Sequence, residues 1–179
     1  MKRTGKTTFL ARTAIFIALL IAFQFATKAL GQLVTGSCVN LILAVCALTC
    51  GIGSAAIVAV ISPFFAFLLG IGPAMIQLVP AIAAGNAVYV LLIGLLSKAF
   101  KFKAGDITAV VISAVVKFAV LFLLVTKLIL PLLGIPEAKA AVLSASFSWP
   151  QLVTALIGGI LAVFVARGIN RSMEKRQQT

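Results

Sequence analysis

Two polar side chains stand alone in long apolar stretches of this chain, Asn86 and Lys117, and each can do chemistry there that it could not do in water. An ammonium or an amide at membrane depth is costly, so it faces a protein partner, a water-filled cavity or a bound solute. Counted from the nearest helix start, each lies about ten residues in, hence ~15 Å deep by helical rise. The two can therefore meet near the midplane and contact a bound solute. Gln77, Tyr89, Asn40, Trp149 and Gln151 are expected to line the entrance to that site. Gln24 and Lys28 can add to the same cavity from the outer half of the first helix, with Lys28 read first as an interfacial anchor. Each residue also has a plainer use. An intramembrane Asn can serve as a helix-to-helix hydrogen bond, a Lys stem can snorkel, and Trp149 suits the aromatic belt.

Absent residue types narrow the chemistry. The chain has no His, and its three acidic residues, Asp106, Glu137 and Glu174, fall outside every apolar run. A proton relay or a carboxylate site for a cation is thereby disfavoured, and a neutral or anionic organic solute is favoured. Neither a Ser/His/Asp set nor a metal cluster is present, and Gly5-Lys6-Thr7 lacks the upstream glycine of a phosphate loop, so no enzyme activity and no cofactor are expected. Cys38, Cys46 and Cys50 have no His partners; they read as small buried residues, not as a disulfide framework or a metal site.

The elements that must position these side chains follow from composition. Of 179 residues, 63% are apolar and 10% charged, and the mean hydropathy is +1.24, too apolar for a soluble domain. A hydrocarbon layer of roughly 30 Å needs about 20 helical residues, and runs of that length recur. The first follows the basic segment Met1 to Arg12 and extends to about Leu30, longer than a signal-peptide core, so it reads as a retained helix. Between Val39 and Leu96 no residue is charged, yet a single helix of that length would reach about 85 Å, so the chain must fold back. Gly51-Ile52-Gly53 and Gly70-Ile71-Gly72-Pro73 are the breakers.

The reading is one all-α polytopic membrane domain over 1–179, with six transmembrane helices near 9–30, 38–51, 53–69, 75–97, 107–133 and 149–166. The stretch 31–37 is expected to be an external loop and 136–139 loop-like, with the second helix short for a full crossing. Net charge is +12, but the basic residues cluster at both ends and in Lys98, Lys101 and Lys103, a positive-inside pattern and not a nucleic-acid footprint. Six crossings place these groups together in the cytoplasm with both termini, whereas five would strand one basic end outside. The expected location is a bacterial plasma membrane, with lipid as the surrounding solvent.

Ala14, Ala18, Ala22 and Ala26 recur every four residues and so share one face of the first helix, a stripe that lets another helix approach closely. This stripe, the basic N-terminus, the six helices, and the segments Ser62-Pro63, Gln77-Leu78-Val79-Pro80 and Gly85-Asn86-Ala87 resemble the S components of energy-coupling factor (ECF) vitamin transporters. The resemblance implies a substrate-binding subunit that captures a small vitamin-like solute from outside. It also implies that Ala14, Ala18 and Ala22 dock onto a transmembrane T component, which sits on two ATPase subunits that supply the energy. Metal-importing members carry an N-terminal His motif, which this chain lacks. A stand-alone secondary carrier or channel is the competing reading, and a membrane scaffold that binds no solute is a third.

Overall fold

The computed structural model describes residues 3–72, 75–102 and 104–178. Met1, Pro73 and Lys103, named above, lie outside what is described. Among the described residues every regular element is helical: α1 (Arg3–Thr27), α2 (Gln32–Thr49), α3 (Ile52–Leu68), α4 (Val79–Ala99), α5 (Gly105–Leu121), α6 (Leu130–Leu133), α7 (Glu137–Ser146) and α8 (Trp149–Gln178). A π-helical segment, Phe122–Ile129, joins α5 to α6 and makes one continuous stretch, Gly105–Leu133. It ends just before Pro131, whose missing N–H removes a rung of the α ladder.

Among the described residues five helical stretches are long and apolar enough to cross a membrane, and α3 is a shorter apolar helix of 17 residues. The side-chain distribution is that of a protein dissolved in lipid. Leu10, Phe25, Leu68, Leu132 and Phe164 are exposed, while Gln24, Asn40, Ser62, Asn86 and Lys117 are buried. Backbone polar groups have no water to turn to at that depth, which is why the spanning elements are helices.

The helix ends gather into two sets. Phe9 and Arg12 of α1 lie with Cys50 and Ser54 at the α2–α3 turn, and Lys98, Asp106 and Arg167 share a small depression with Ala47. Arg167 Nη2 reaches Asp106 Oδ2 at 3.4 Å there. These groups mark one basic end. At the other, the α1–α2 junction, the end of α3, the start of α4, α7 and the start of α8 surround a cavity. The Gly5-Lys6-Thr7 run lies inside helix α1, not in a loop.

Several sequence boundaries shift, each for a local reason. The expected loop at 31–37 is instead a one-residue break: Gly31 takes φ of 83° and α2 restarts at Gln32. Thr35 Oγ1 donates to the Thr27 carbonyl at 2.8 Å and Ser37 Oγ to the Leu33 carbonyl at 2.7 Å. These hydroxyls are satisfied by helix carbonyls, so they do not break the helix. With 18 residues, α2 spans about 27 Å and is no longer short for a crossing. The segment after Pro136 is helical through Ser146, as its Ala-rich composition and the proline before its first turn allow. Helix α8 passes its basic residues without ending. Of the three cysteines, Cys46 is buried but Cys38 and Cys50 are only half-buried.

Two apolar clusters hold the bundle. The larger includes Leu20, Leu43, Val58, Tyr89, Ile93, Val110 and Val163. The smaller packs Leu78, Leu121, Val125, Leu130 and Phe147, with Leu143 of α7 against it. The closest helix pair is α2 with α8, where a β-carbon at Gly158 would overlap the Ser37 carbonyl oxygen and lie 2.8 Å from Asn40 Cβ. Small residues at such a crossing let backbones touch, the main source of helix association in lipid. Gly158→Leu is therefore expected to separate α2 from α8 and to destabilise by at least the ~1–3 kcal/mol typical of overpacking. A thermal-unfolding series in detergent, with Ile157→Leu on the exposed face as control, would read this as a lowered Tm for Gly158→Leu alone.

Candidate functional site

Lys117 enters the bundle from α5 and is 2% exposed. Its Nζ donates to Asn40 Oδ1 of α2 at 2.5 Å and to Asn86 Oδ1 of α4 at 2.8 Å. The Tyr89 ring centroid lies 5.1 Å from the same nitrogen, within cation–π range. Each partner is itself held. Asn40 Nδ2 donates to Thr154 Oγ1 at 3.3 Å, Thr154 Oγ1 donates to the Gln151 carbonyl at 3.2 Å, and Tyr89 Oη donates to the Ala155 carbonyl at 2.8 Å. Four helices thus fix the position of one charge.

The ammonium opens onto a cavity of about 370 Å³. Gln24 and Lys28 approach it from the α1 side, Thr35 and Asn40 from α2, Ser62 and Pro63 from α3, Asn86 from α4, and Phe147 and Gln151 from the start of α8. Helix α7 lies across this end: Gln32 Nε2 and Gln151 Nε2 both donate to the Ser146 carbonyl, at 2.7 and 3.2 Å. No lining residue is acidic. Gln24 Oε1 and Ser62 Oγ are buried with no hydrogen-bond partner among the described residues, a rare and costly condition in folded proteins.

The expected site residues divide accordingly. Asn40, Asn86, Lys117 and Gln151 come together at the cavity, and Gln24 and Lys28 join them. Tyr89 is fully buried behind Lys117 with its hydroxyl occupied, so it supports the ammonium and does not line an entrance. Gln77 is exposed outside the cavity, because its short turn, Ile76–Leu78, buries Leu78 and turns Gln77 away. Trp149 is 62% exposed and also outside, a position that fits an aromatic-belt residue. Residues not anticipated as site members are Gln32, Ser62, Thr154 and Phe147. Ser62-Pro63 stood out in the sequence only as a motif; Thr154 carried no signal, since hydroxyls in apolar helices commonly bond their own backbone.

On α1 the two faces differ sharply. Thr13, Leu20 and Gln24 are buried, and Thr13 Oγ1 donates to Ser54 Oγ at 2.9 Å, which sets the helix rotation. Ala14, Ala18 and Ala22 are all exposed on the opposite side.

Apolar helices of this length, packed around an internal cavity, define a multi-pass membrane protein. Residues 8–169 match the family described as ECF transporter, substrate-specific component, and the chain belongs to that family. Its members are transporter subunits, not enzymes. The chain matches no curated protein and no solved structure at a significant level.

Because Asn86 and Asn40 compensate a buried charge, removing an acceptor is expected to cost more than removing the charge. Asn86→Leu leaves an ammonium N–H unpaired, worth about 1–3 kcal/mol or more for a charged group, whereas Lys117→Met keeps the stem and discards the desolvation cost. In a double-mutant cycle followed by thermal unfolding of the empty protein, Asn86→Leu should lower Tm more than Lys117→Met. Adding Lys117→Met to Asn86→Leu should then recover much of the loss.

Proposed function

We propose that this chain is the solute-capture subunit of an ATP-driven ECF-type importer in a bacterial plasma membrane, taking a small neutral or anionic vitamin-like solute from outside. The observation that carries this reading is the largely apolar cavity with the polar groups of Lys117, Asn40 and Asn86 in it, set at the end of the bundle opposite the basic one. By the positive-inside rule the end bearing Arg12, Lys98, Arg167 and Arg171 faces the cytoplasm with both termini, so the cavity faces outward.

A cavity at the outer end can bind from outside, and release inward from there calls for a large movement, so the subunit needs a partner that does work. The family implies that partner: a transmembrane T component carrying two ATPase subunits, against which a loaded subunit topples to deliver its solute. Ala14, Ala18 and Ala22 supply the docking face, since they are exposed while the polar side of the same helix is committed to the cavity. Small residues make that face flat enough for a second helix to pack closely.

The two activities should separate by mutation. Ala14→Leu with Ala18→Leu is expected to leave solute affinity within about twofold, a change below 1.4 kcal/mol, while ATP-driven uptake falls at least about tenfold. Binding to the detergent-purified subunit and uptake into vesicles holding the whole complex would be measured side by side. Undiminished uptake would place the docking face elsewhere, and uptake by the subunit alone would point to a stand-alone carrier.

A further inference from the structure

We infer that the solute is a small organic anion recognised at two poles: its acid group sits against Lys117 between Asn40 and Asn86, and a donor-bearing group at its other end meets Gln24 and Ser62. This rests on the capture reading above and names the chemistry of what is captured.

The charge balance comes first. Two cations line the cavity, Lys117 within it and the exposed Lys28 toward its rim, and no lining residue is acidic. The three acidic side chains of the chain are elsewhere: Asp106 is paired with Arg167 at the basic end, and Glu137 and Glu174 are exposed. Lys117 is therefore held by two amide oxygens and the face of Tyr89, with no carboxylate beside it among the described residues. Two of the three N–H groups of its ammonium go to Asn40 and Asn86, which leaves one for the cavity it lines. A cationic solute would meet this charge with nothing to balance it, and an uncharged one would leave it uncompensated. An ionised acid supplies both the missing charge and the missing acceptor. At the rim, Lys28 adds a field of the sign that draws an anion in.

The second pole is independent of the first. Gln24 on α1 is 9% exposed and Ser62 on α3 is 1% exposed, both line the cavity, and neither Gln24 Oε1 nor Ser62 Oγ has a hydrogen-bond partner among the described residues. The amide oxygen only accepts, so the group it waits for carries an N–H or O–H. These two side chains come from α1 and α3, not from the three helices that make the ammonium cluster, so they offer the cavity a second set of polar groups. Pro63, Ile82 and Phe147 line the same cavity and offer apolar contact to the body of the solute. A volume near 370 Å³ is at the low end of the roughly 300–1,000 Å³ usual for small-molecule sites, which suits a compact acid and not a large conjugate.

The test uses the full-length protein in detergent, exposed to the small-molecule fraction of yeast extract, washed, and extracted for mass spectrometry. The expected result is a retained compound with an acid group ionised at neutral pH and an N–H or O–H group apart from it. Retention should fall at least about tenfold in Lys117→Met and severalfold in Gln24→Leu, a factor of ten being 1.4 kcal/mol. If Lys117→Met does not yield folded protein, the charge of the compound held by the wild type decides alone. A retained compound that is cationic or uncharged, or an acid that Lys117→Met holds as well as the wild type, overturns this assignment and leaves the capture reading standing. Retention of nothing overturns the capture reading itself, and this inference with it.

Discussion

The structure is organised around one unneutralised ammonium in a hydrocarbon solvent. Lys117 has no carboxylate partner among the described residues, so its charge is offset by the amide oxygens of Asn40 and Asn86 and by the face of Tyr89. Amide dipoles stabilise a charge less completely than an ion pair does, and a buried charge without a counter-ion is expensive. That residual imbalance leaves the cluster able to take a further acceptor or a negative charge.

Holding the acceptors in place falls to helix packing. Asn40 faces Lys117 because α2 and α8 cross almost backbone to backbone at Gly158, and Thr154 on α8 then takes the far side of the Asn40 amide. Tyr89 is tied to α8 through the Ala155 carbonyl. Helix α8 thus carries no charge in the site yet orients two of the groups that face it. In lipid, where apolar burial gives helices little reason to associate, such close contacts and interhelical hydrogen bonds must supply the rigidity.

Helix α1 has two unlike faces. Its inner face brings Gln24 to the cavity and is locked to α3 by the Thr13–Ser54 hydrogen bond, while its outer face presents the alanines. In the function proposed above, such a helix would link loading to partner contact. At the cavity end α7 is tied to α2 and α8 through two amide side chains converging on the Ser146 carbonyl.

Amino-acid order alone determined the solvent, the helical class, most of the turns and the isolation of Asn86 and Lys117, because each follows from local hydropathy, from glycine and proline, and from the expense of polar groups at depth. It also marked the alanine stripe, since a period of four is visible without any partner. What only tertiary structure decided is which face of each helix looks inward. A helix that is apolar all round carries no pattern to announce its buried side. Tyr89 therefore turns to the back of the ammonium, Gln77 and Trp149 face away, and Ser62 and Thr154 enter the site unannounced. The hydroxyls of Thr35 and Ser37 look like loop residues until the carbonyls that accept from them are in view. Helix rotation and crossing are set by contacts between residues far apart in the chain, such as Gly158 against Ser37, and no local window of sequence contains both sides of such a contact.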